Sequence, residues 1–148
     1  MDMYQRMKDL REDRDLSQED IAKVLQTTQE QISKYETGRQ MMGIDKYMKL
    51  AKYYNISLDY LTGLINTPKK LYWNENMDIF QRMKDLREDH DLSQEDIAKV
   101  LQTTREQVSK YETGKQMMGA DKYIKLAKYY NVSLDYLMGL IDTPKKLY

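Results

Sequence analysis

Apolar side chains recur every three or four residues along this chain, in short stretches separated by polar turns. The first stretch carries Met3, Tyr4, Met7 and Leu10. This spacing places apolar side chains on one face of a helix. Four later stretches follow the same rule, with the pairs Ile21 and Leu25, Ile32 and Tyr35, Leu50 and Tyr54, and Leu58 and Leu61. Because no stretch alternates with a period of two, we predict five short helices over residues 1–66 and no β-sheet.

The whole pattern occurs twice. Residues 1–72 align with residues 77–148 without a gap, and only 11 of the 72 aligned pairs differ. Such self-similarity indicates two copies of one domain. We predict domains over residues 1–66 and 77–142, a linker over residues 67–76 and a tail over residues 143–148. Each copy has about 70 residues, which is near the lower limit for a chain that folds around its own core.

Helix start and stop signals divide the middle of each copy into two short helices. Ser17 is a favourable N-cap, and acidic residues follow it in the first turn. Thr28 and Gln31 have the spacing of a capping box, which starts the next helix. Gly38 is a natural C-terminal stop. Residues 18–37 are therefore predicted to form two helices joined by a tight turn.

Composition and charge exclude several classes of function. The 24 basic and 24 acidic side chains balance, which excludes a strongly basic protein that coats nucleic acid but permits a locally basic face. With no cysteine and one histidine, His90, the chain lacks the parts for a disulfide framework, a thiolate metal site or histidine-based catalysis. No apolar run approaches the ~18 residues of a membrane span. We expect a soluble cytoplasmic protein that is not an enzyme, needs no cofactor or metal and does not enter a membrane.

Three segments of each copy carry a family resemblance. They are LSQEDIAKVL, ISKYETG and KLAKYYNISLDYLTG in the first copy, and LSQEDIAKVL, VSKYETG and KLAKYYNVSLDYLMG in the second. Together they resemble the helix-turn-helix proteins of the phage repressor and Cro type, also called the xenobiotic-response-element family. The resemblance covers nearly all of each copy. It implies an all-α chain of two tandem five-helix domains that bind double-stranded DNA.

The resemblance also implies roles for individual positions. Residues at the start of the first motif helix, in the turn and just after the second motif helix lie near DNA phosphates in this family, and the matching residues are Gln18, Thr27, Arg39, Gln94, Thr103 and Lys115. The second motif helix enters the major groove. Its matching base-reading residues are Gln29, Glu30, Ser33, Lys34, Arg105, Glu106, Ser109 and Lys110. Structural ion pairs of the family match Arg11 with Glu36, and Arg87 with Glu112.

The chemistry of these side chains suits base readout. Gln can pair with N6 and N7 of adenine, Arg can pair with O6 and N7 of guanine, and Glu can accept from N4 of cytosine. Gln29 and Arg105 occupy the same position in the two copies. One interpretation is that the first copy prefers adenine at this step and the second prefers guanine. The other is neutral drift, with Arg105 bonding a phosphate, and the sequence favours neither.

The motif turn departs from the family pattern. The family usually has Gly there, often with a positive φ, where this chain has Gln26 and Gln102. Two outcomes stay open. Either Gln adopts the glycine conformation at a cost of about 1 kcal/mol, or the turn differs locally.

We interpret the chain as a sequence-specific transcriptional regulator, with repression through operator binding as the favoured role. Residues 66–78, 13 in number, reach at most ~43–47 Å, more than the ~34 Å between successive half-sites on DNA. The two copies can therefore pair within one chain as a pseudo-dimer, or associate between chains. The alternative is a protein-interaction or antitoxin-like adaptor that keeps the fold without reading DNA. The zero net charge and the Glu on each second motif helix favour that alternative.

Overall fold

A computed structural model describes residues 2–70 and 78–147. The chain divides into two compact units, Met1–Leu71 and Tyr72–Tyr148. The first unit contains α1 (Met3–Glu12), α2 (Gln18–Leu25), α3 (Gln29–Glu36), α4 (Ile44–Tyr54) and α5 (Leu58–Leu61). The second contains α6 (Ile79–Asp89), α7 (Gln94–Leu101), α8 (Arg105–Glu112), α9 (Ala120–Tyr130) and α10 (Leu134–Leu137). The predicted all-α fold with five helices per copy is confirmed for the part of the chain that the structure covers.

Side-chain caps set where the motif helices begin. The Ser17 side chain accepts from the backbone N–H of Asp20 at 3.1 Å, and the Ser17 N–H donates to Asp20 Oδ2 at 2.9 Å. This reciprocal pair satisfies two donors at the start of α2. The Thr28 hydroxyl oxygen accepts from the N–H of Gln31 at 3.2 Å, which caps α3. Both helices therefore start where the local sequence predicts.

The core of the first unit lies between α2, α3 and α4. Ile21, Leu25, Ile32 and Leu50 are all at most 4% exposed. They belong to the apolar stripes that the helical spacing predicts. Tyr47 of α4 is also fully buried. Packing of these faces holds α3 with one side against the core and the other side facing outward.

A buried arginine that the sequence did not single out joins α1 to the end of the unit. Arg6 is 4% exposed, and its guanidinium donates to the carbonyl oxygens of Tyr60 and Ile65 at 3.1 and 2.9 Å. It also stacks 4.2 Å from the centroid of the Tyr60 ring. The sequence does not indicate that Arg6 is buried, because Arg6 stands in a charged helix and an arginine in such a helix is usually exposed to solvent. Its contacts fix α1 against the segment that follows α5.

A residue beyond each predicted domain boundary also forms a backbone hydrogen bond to the helical unit that precedes it. The Ser57 N–H donates to the carbonyl oxygen of Lys69 at 2.9 Å, and the Ser133 N–H donates to that of Lys145 at 2.7 Å. Lys69 and Lys145 thus lie beside the start of α5 and of α10. The predicted boundaries at residues 66 and 142 leave out these residues, whose backbone bonds link them to the preceding helical unit.

No helix within residues 2–70 and 78–147 is long and apolar enough to cross a membrane.

Candidate nucleic-acid interface

The turn between α2 and α3 adopts the conformation that usually requires glycine. Gln26 has φ 53° and ψ 51°, and Gln102 has the same angles in the second unit. The Thr27 N–H closes the turn by donating to the Ala22 carbonyl oxygen at 2.9 Å. Of the two outcomes that the sequence left open, the structure shows Gln in the left-handed region. The tight turn is kept at the cost of strain at a residue with a Cβ.

The turn leaves the predicted base-reading residues on the outer side of α3 and α8. Gln29 and Glu30, in the first turn of α3, are exposed, while Ser33 and Lys34 one turn later are half-buried. In the second unit Arg105 and Glu106 are exposed, and Ser109 and Lys110 are half-buried. The four positions form two adjacent pairs one helical turn apart, on a helix whose opposite face carries Ile32 or Val108 in the core. A single polar face is therefore available to a partner in each unit.

A network of three side chains fixes α3 against α1 and α2. Arg11 Nε donates to Glu36 Oε1 at 2.7 Å, and Arg11 Nη2 donates to Glu36 Oε2 at 3.1 Å. Gln18 Nε2 donates to Glu36 Oε2 at 2.9 Å. The hydrogen bond to Glu36 raises the pKa of the Arg11 guanidinium. The carboxylate of Glu36 thus joins three helices, and it also sets the direction of the Gln18 amide.

The second unit repeats this network. Arg87 Nε donates to Glu112 Oε1 at 2.6 Å, and Gln94 Nε2 donates to Glu112 Oε2 at 3.0 Å. One N–H of the Gln94 amide is used in this way, so the other is left to donate elsewhere. A phosphate oxygen is a suitable acceptor for it. The predicted phosphate role of Gln18 and Gln94 is therefore compatible with the bonds they make to Glu36 and Glu112.

The Glu and Lys at the centre of each outer face form an ion pair. Lys34 Nζ lies 2.8 Å from Glu30 Oε1, and Lys110 Nζ lies 2.9 Å from Glu106 Oε1. The hydrogen bond from each lysine lowers the pKa of its glutamate below the usual range. Both carboxylates are therefore charged at neutral pH. The sequence placed these residues on one face but did not reveal that they pair with each other.

The predicted phosphate contacts lie around this face with different exposure. Thr27 and Thr103 in the turns are half-buried, whereas Arg39 and Lys115 beyond the helices are exposed. A surface groove in the second unit is lined by Gln94, Arg105, Glu106 and Ser109. It joins the start of α7 to the outer face of α8. The groove thus brings one predicted phosphate residue beside three predicted base-reading residues, while Thr103 and Lys115 lie outside its lining.

The groove has an acidic neighbour that the sequence analysis did not assign. Ser93, Gln94, Glu95 and Arg105 line the adjoining part of the same surface. Glu95 occupies the first turn of α7, where its negative charge interacts favourably with the positive end of the helix dipole. In the sequence, Glu95 belongs to the acidic first turn of α7, a pattern that indicates a helix start and does not by itself indicate a groove. Within residues 2–70 and 78–147, no three His, Asp or Glu side chains come together as a candidate metal site.

Comparison with known proteins agrees with this geometry. A family model described as helix-turn-helix, HTH_3, matches residues 7–61 and again residues 83–137, together well over half of the chain. Both matches include the two motif helices and the turn between them. The chain therefore contains two tandem copies of one recognised domain, and the resemblance to repressor and Cro proteins is confirmed.

Two curated relatives and one solved structure are similar over part of their length. The chain is 36% identical over 64 residues to YobD of Bacillus subtilis (strain 168), an uncharacterized HTH-type transcriptional regulator, covering 43% of this chain and 57% of that protein. It is 33% identical over 70 residues to the HTH-type transcriptional regulator ImmR of the same organism, covering 47% and 55%. A crystal structure of a transcriptional regulator from Listeria innocua aligns with TM-score 0.42 and 28% identity, covering 43% of this chain and 60% of that one.

The matched region spans only a little over half of each relative. The matched stretches of 64 and 70 residues are about as long as one copy of the 72-residue repeat. By its two family matches and by the α2–turn–α3 and α7–turn–α8 geometry, this chain belongs to the helix-turn-helix family.

Proposed function

We propose that this chain is a sequence-specific DNA-binding transcriptional regulator, with α3 and α8 as the helices that enter the major groove. The observation that carries the proposal is the outward polar face of each helix, held in the same way in both units by the Arg–Glu–Gln network. Amide, carboxylate, hydroxyl and ammonium groups on one rigid face are the groups that read base edges. The regulator names of YobD and ImmR support the same function.

Base contacts are assigned to the outer faces and phosphate contacts to the residues around them. The base-reading set is Gln29, Glu30, Ser33 and Lys34 with Arg105, Glu106, Ser109 and Lys110. The phosphate set is Gln18, Thr27 and Arg39 with Gln94, Thr103 and Lys115. Phosphate contacts fix the position of a protein on the duplex, and base contacts select the sequence. The two sets therefore predict different consequences of mutation.

Both DNA-binding units lie in one chain, so we propose that they occupy two half-sites of one operator. Tethering makes binding of the second unit intramolecular, which tightens binding to paired sites without new contacts. A protein bound at an operator prevents other proteins from reaching that DNA. The proposed role is therefore repression of transcription in the cytoplasm.

One observation favours a second function, a protein-interaction adaptor. The chain has zero net charge, and each outer face carries a carboxylate, Glu30 or Glu106, that phosphates repel. A DNA-binding protein usually gains affinity from counterion release by basic side chains. An adaptor that keeps the fold does not bind DNA, so it does not require basic side chains that release counterions.

Selection of bound duplexes from a randomised pool at physiological salt separates the two functions. A regulator enriches two half-sites about one turn of DNA apart. Its affinity also falls steeply as salt rises, in proportion to its phosphate contacts. An adaptor enriches no sequence and shows no steep salt dependence. The variant Gln18→Ala with Gln94→Ala serves as a control, because loss of two phosphate contacts weakens binding to every sequence without changing the selected one.

A further inference from the structure

The Glu–Lys pairs on the outer faces of α3 and α8 have the same geometry in both units. The lysine–glutamate distances are 2.8 and 2.9 Å, and the glutamate side chains are 78% and 79% exposed. The two lysine side chains are each 42% exposed. Exposed pairs at this spacing stabilise a helix by only about 0.3–0.5 kcal/mol. Helix stability alone therefore gives little reason for a carboxylate at the centre of a DNA-binding face.

The pair lowers the attraction of the face for DNA in general. Each phosphate that a lysine neutralises releases condensed counterions and contributes to non-specific binding. In this protein the ammonium group of Lys34 or Lys110 already has an anionic partner, and that partner repels the duplex. Transfer of the lysine to a phosphate would separate it from the carboxylate and leave the glutamate in the negative field of the groove. The pair therefore makes random DNA a poor ligand.

A G·C base pair offers a partner to both members. Its major-groove edge presents the N4 amino group of cytosine as a donor and O6 and N7 of guanine as acceptors. A carboxylate accepts from cytosine N4, and an ammonium donates to guanine O6 or N7. Neighbouring acceptor and donor groups on the helix thus match neighbouring donor and acceptor groups on one base pair. The match leaves neither charge without a partner.

We propose that the Glu30–Lys34 and Glu106–Lys110 pairs each read one G·C base pair and, by the same charge arrangement, suppress binding to random DNA. This inference rests on the proposed DNA-binding function and deepens it. Because the pair is identical in the two copies, the G·C step is common to both half-sites. It differs in this respect from the step read by Gln29 and Arg105, where the copies carry different side chains.

The test variant carries Glu30→Gln and Glu106→Gln in the full chain. Glutamine keeps the shape of glutamate but loses the charge, and it pairs with adenine instead of cytosine. The matched control carries Glu12→Gln and Glu88→Gln. These residues lie on α1 and α6, outside the two motif helices, and form i,i+4 pairs with Lys8 and Lys84 at 4.0 Å. They also contact Arg11 and Arg87 at 3.3 and 3.4 Å from the exposed side, while Glu36 and Glu112 remain the buried partners of those arginines. Test and control therefore make the same change in net charge.

Three quantities are measured for wild type, test and control: the selected sequence, the affinity for random duplex, and the slope of log affinity against log salt. In the test variant we expect the shared step to change from G·C to A·T, with a loss of roughly 5- to 150-fold in the preference for G·C. Affinity for random duplex should rise above that of the control. The salt slope should steepen by up to about 1.8, for two lysines released to phosphates.

Two outcomes would contradict this inference, and they distinguish its failure from failure of the proposed DNA-binding function. If wild type selects a sequence but the test variant keeps the same base at every step and binds random duplex like the control, the pairs are only surface ion pairs and the inference fails. If wild type itself selects no sequence, the proposed DNA-binding function fails first, and this inference fails with it.

Discussion

Arg11 and Glu36 form a bidentate ion pair between α1 and α3, with nitrogen–oxygen distances of 2.7 and 3.1 Å. The two residues are 25 positions apart in the sequence, and the Glu36 side chain is only 4% exposed. Such a pair holds two helices in one relative orientation. Because Glu36 also accepts from Gln18, the same carboxylate connects the packing of α1 to the predicted DNA contact of α2.

Replacement of Glu36 by Ala should destabilise the first unit strongly. Arg11 would keep its bond to the Leu16 carbonyl oxygen but lose its buried anionic partner. Removal of one member of a buried pair costs on the order of 3 kcal/mol. Hydrogen exchange in the full chain, followed on peptides that differ between the copies, would measure the change in the first unit while the second serves as an internal reference.

Glu12→Ala is the matched control for this change. Glu12 contacts the same guanidinium at 3.3 Å, but its side chain is 52% exposed. Exposed ion pairs are worth about 0–1 kcal/mol. Equal losses of protection in the two variants would contradict the structural role of the Arg11–Glu36 pair.

One tyrosine hydroxyl has a side-chain hydrogen-bond partner in the first unit, and its counterpart has none among the described residues of the second. Tyr47 Oη donates to Met3 Sδ at 3.0 Å, but the residue that corresponds to Met3 is Ile79, which has no acceptor. Tyr123 Oη is buried and makes no hydrogen bond of good geometry within the described residues, although the backbone of Met118 lies close enough to favour its ionised form. Burial also raises the pKa of Tyr123 to about 12. The hydroxyl of Tyr123 should therefore destabilise the second unit.

We expect Tyr123→Phe to stabilise the second unit by about 1–3 kcal/mol, because an unsatisfied buried hydroxyl is removed. The same change at Tyr47 should be neutral or should cost about 0.5–1.5 kcal/mol, because it removes a hydrogen bond. Urea unfolding of the two full-length variants against wild type measures both. Stabilisation of equal size at the two positions would show that the contact to Met3 has no influence.

The left-handed turn residues give a third prediction. Gln26 and Gln102 both have φ 53°, a conformation that costs a residue with a Cβ roughly 1–2 kcal/mol. Glycine removes that strain but adds roughly 0.5–1 kcal/mol of unfolded-chain entropy. The strain term is the larger one, so Gln26→Gly with Gln102→Gly should raise the free energy of unfolding of each unit by roughly 0.5–1 kcal/mol.

The control for the turn is Gln26→Ala with Gln102→Ala. Alanine shortens the side chain but keeps the Cβ, so the backbone strain stays. Thermal unfolding should place the glycine variant above wild type and the alanine variant at or below it. A higher melting temperature for both would mean that the long side chain, and not the left-handed backbone, is unfavourable at this position.

Exchange of the residues at the first base-reading position gives the fourth prediction. Gln29 and Arg105 are both exposed at the first position of their helices, after N-caps Thr28 and Thr104 with the same φ and ψ of −101° and 155°. The backbone at the start of the helix is therefore the same in the two copies, and only the side chain differs. If the copies read adenine and guanine at this step, Gln29→Arg with Arg105→Gln should invert the order of the two half-sites selected from random DNA.

The outcome of the exchange also decides between the two interpretations of Arg105. A phosphate contact would follow the arginine to the first unit without changing any selected base. The single variant Arg105→Gln would then weaken binding to all duplexes alike and reduce the magnitude of the salt slope by about 0.9. A change of base preference with little change of slope is expected from base readout.

Much of this structure is encoded locally. Helical spacing of apolar residues, the Ser17 and Thr28 caps and the 76-residue offset between the copies were sufficient to predict ten helices in two all-α domains. Each of these signals acts over a few residues, because a cap bonds to the next turn and an apolar stripe repeats every three or four positions. The outward face of α3 follows from the same periodicity.

Partners of the charged and polar side chains depended on tertiary structure. Arg6 stands in a charged helix, yet folding buries it against the carbonyl oxygens of Tyr60 and Ile65. Tyr47 and Tyr123 occupy equivalent positions, but the hydroxyl of Tyr47 reaches Met3 whereas the residue that corresponds to Met3 in the second copy, Ile79, has no acceptor. Such contacts join residues more than 40 positions apart, so they exist only once the helices have packed. Local sequence determined the helices and their faces, and packing between helices determined the partners of Arg6, Glu36 and Tyr47.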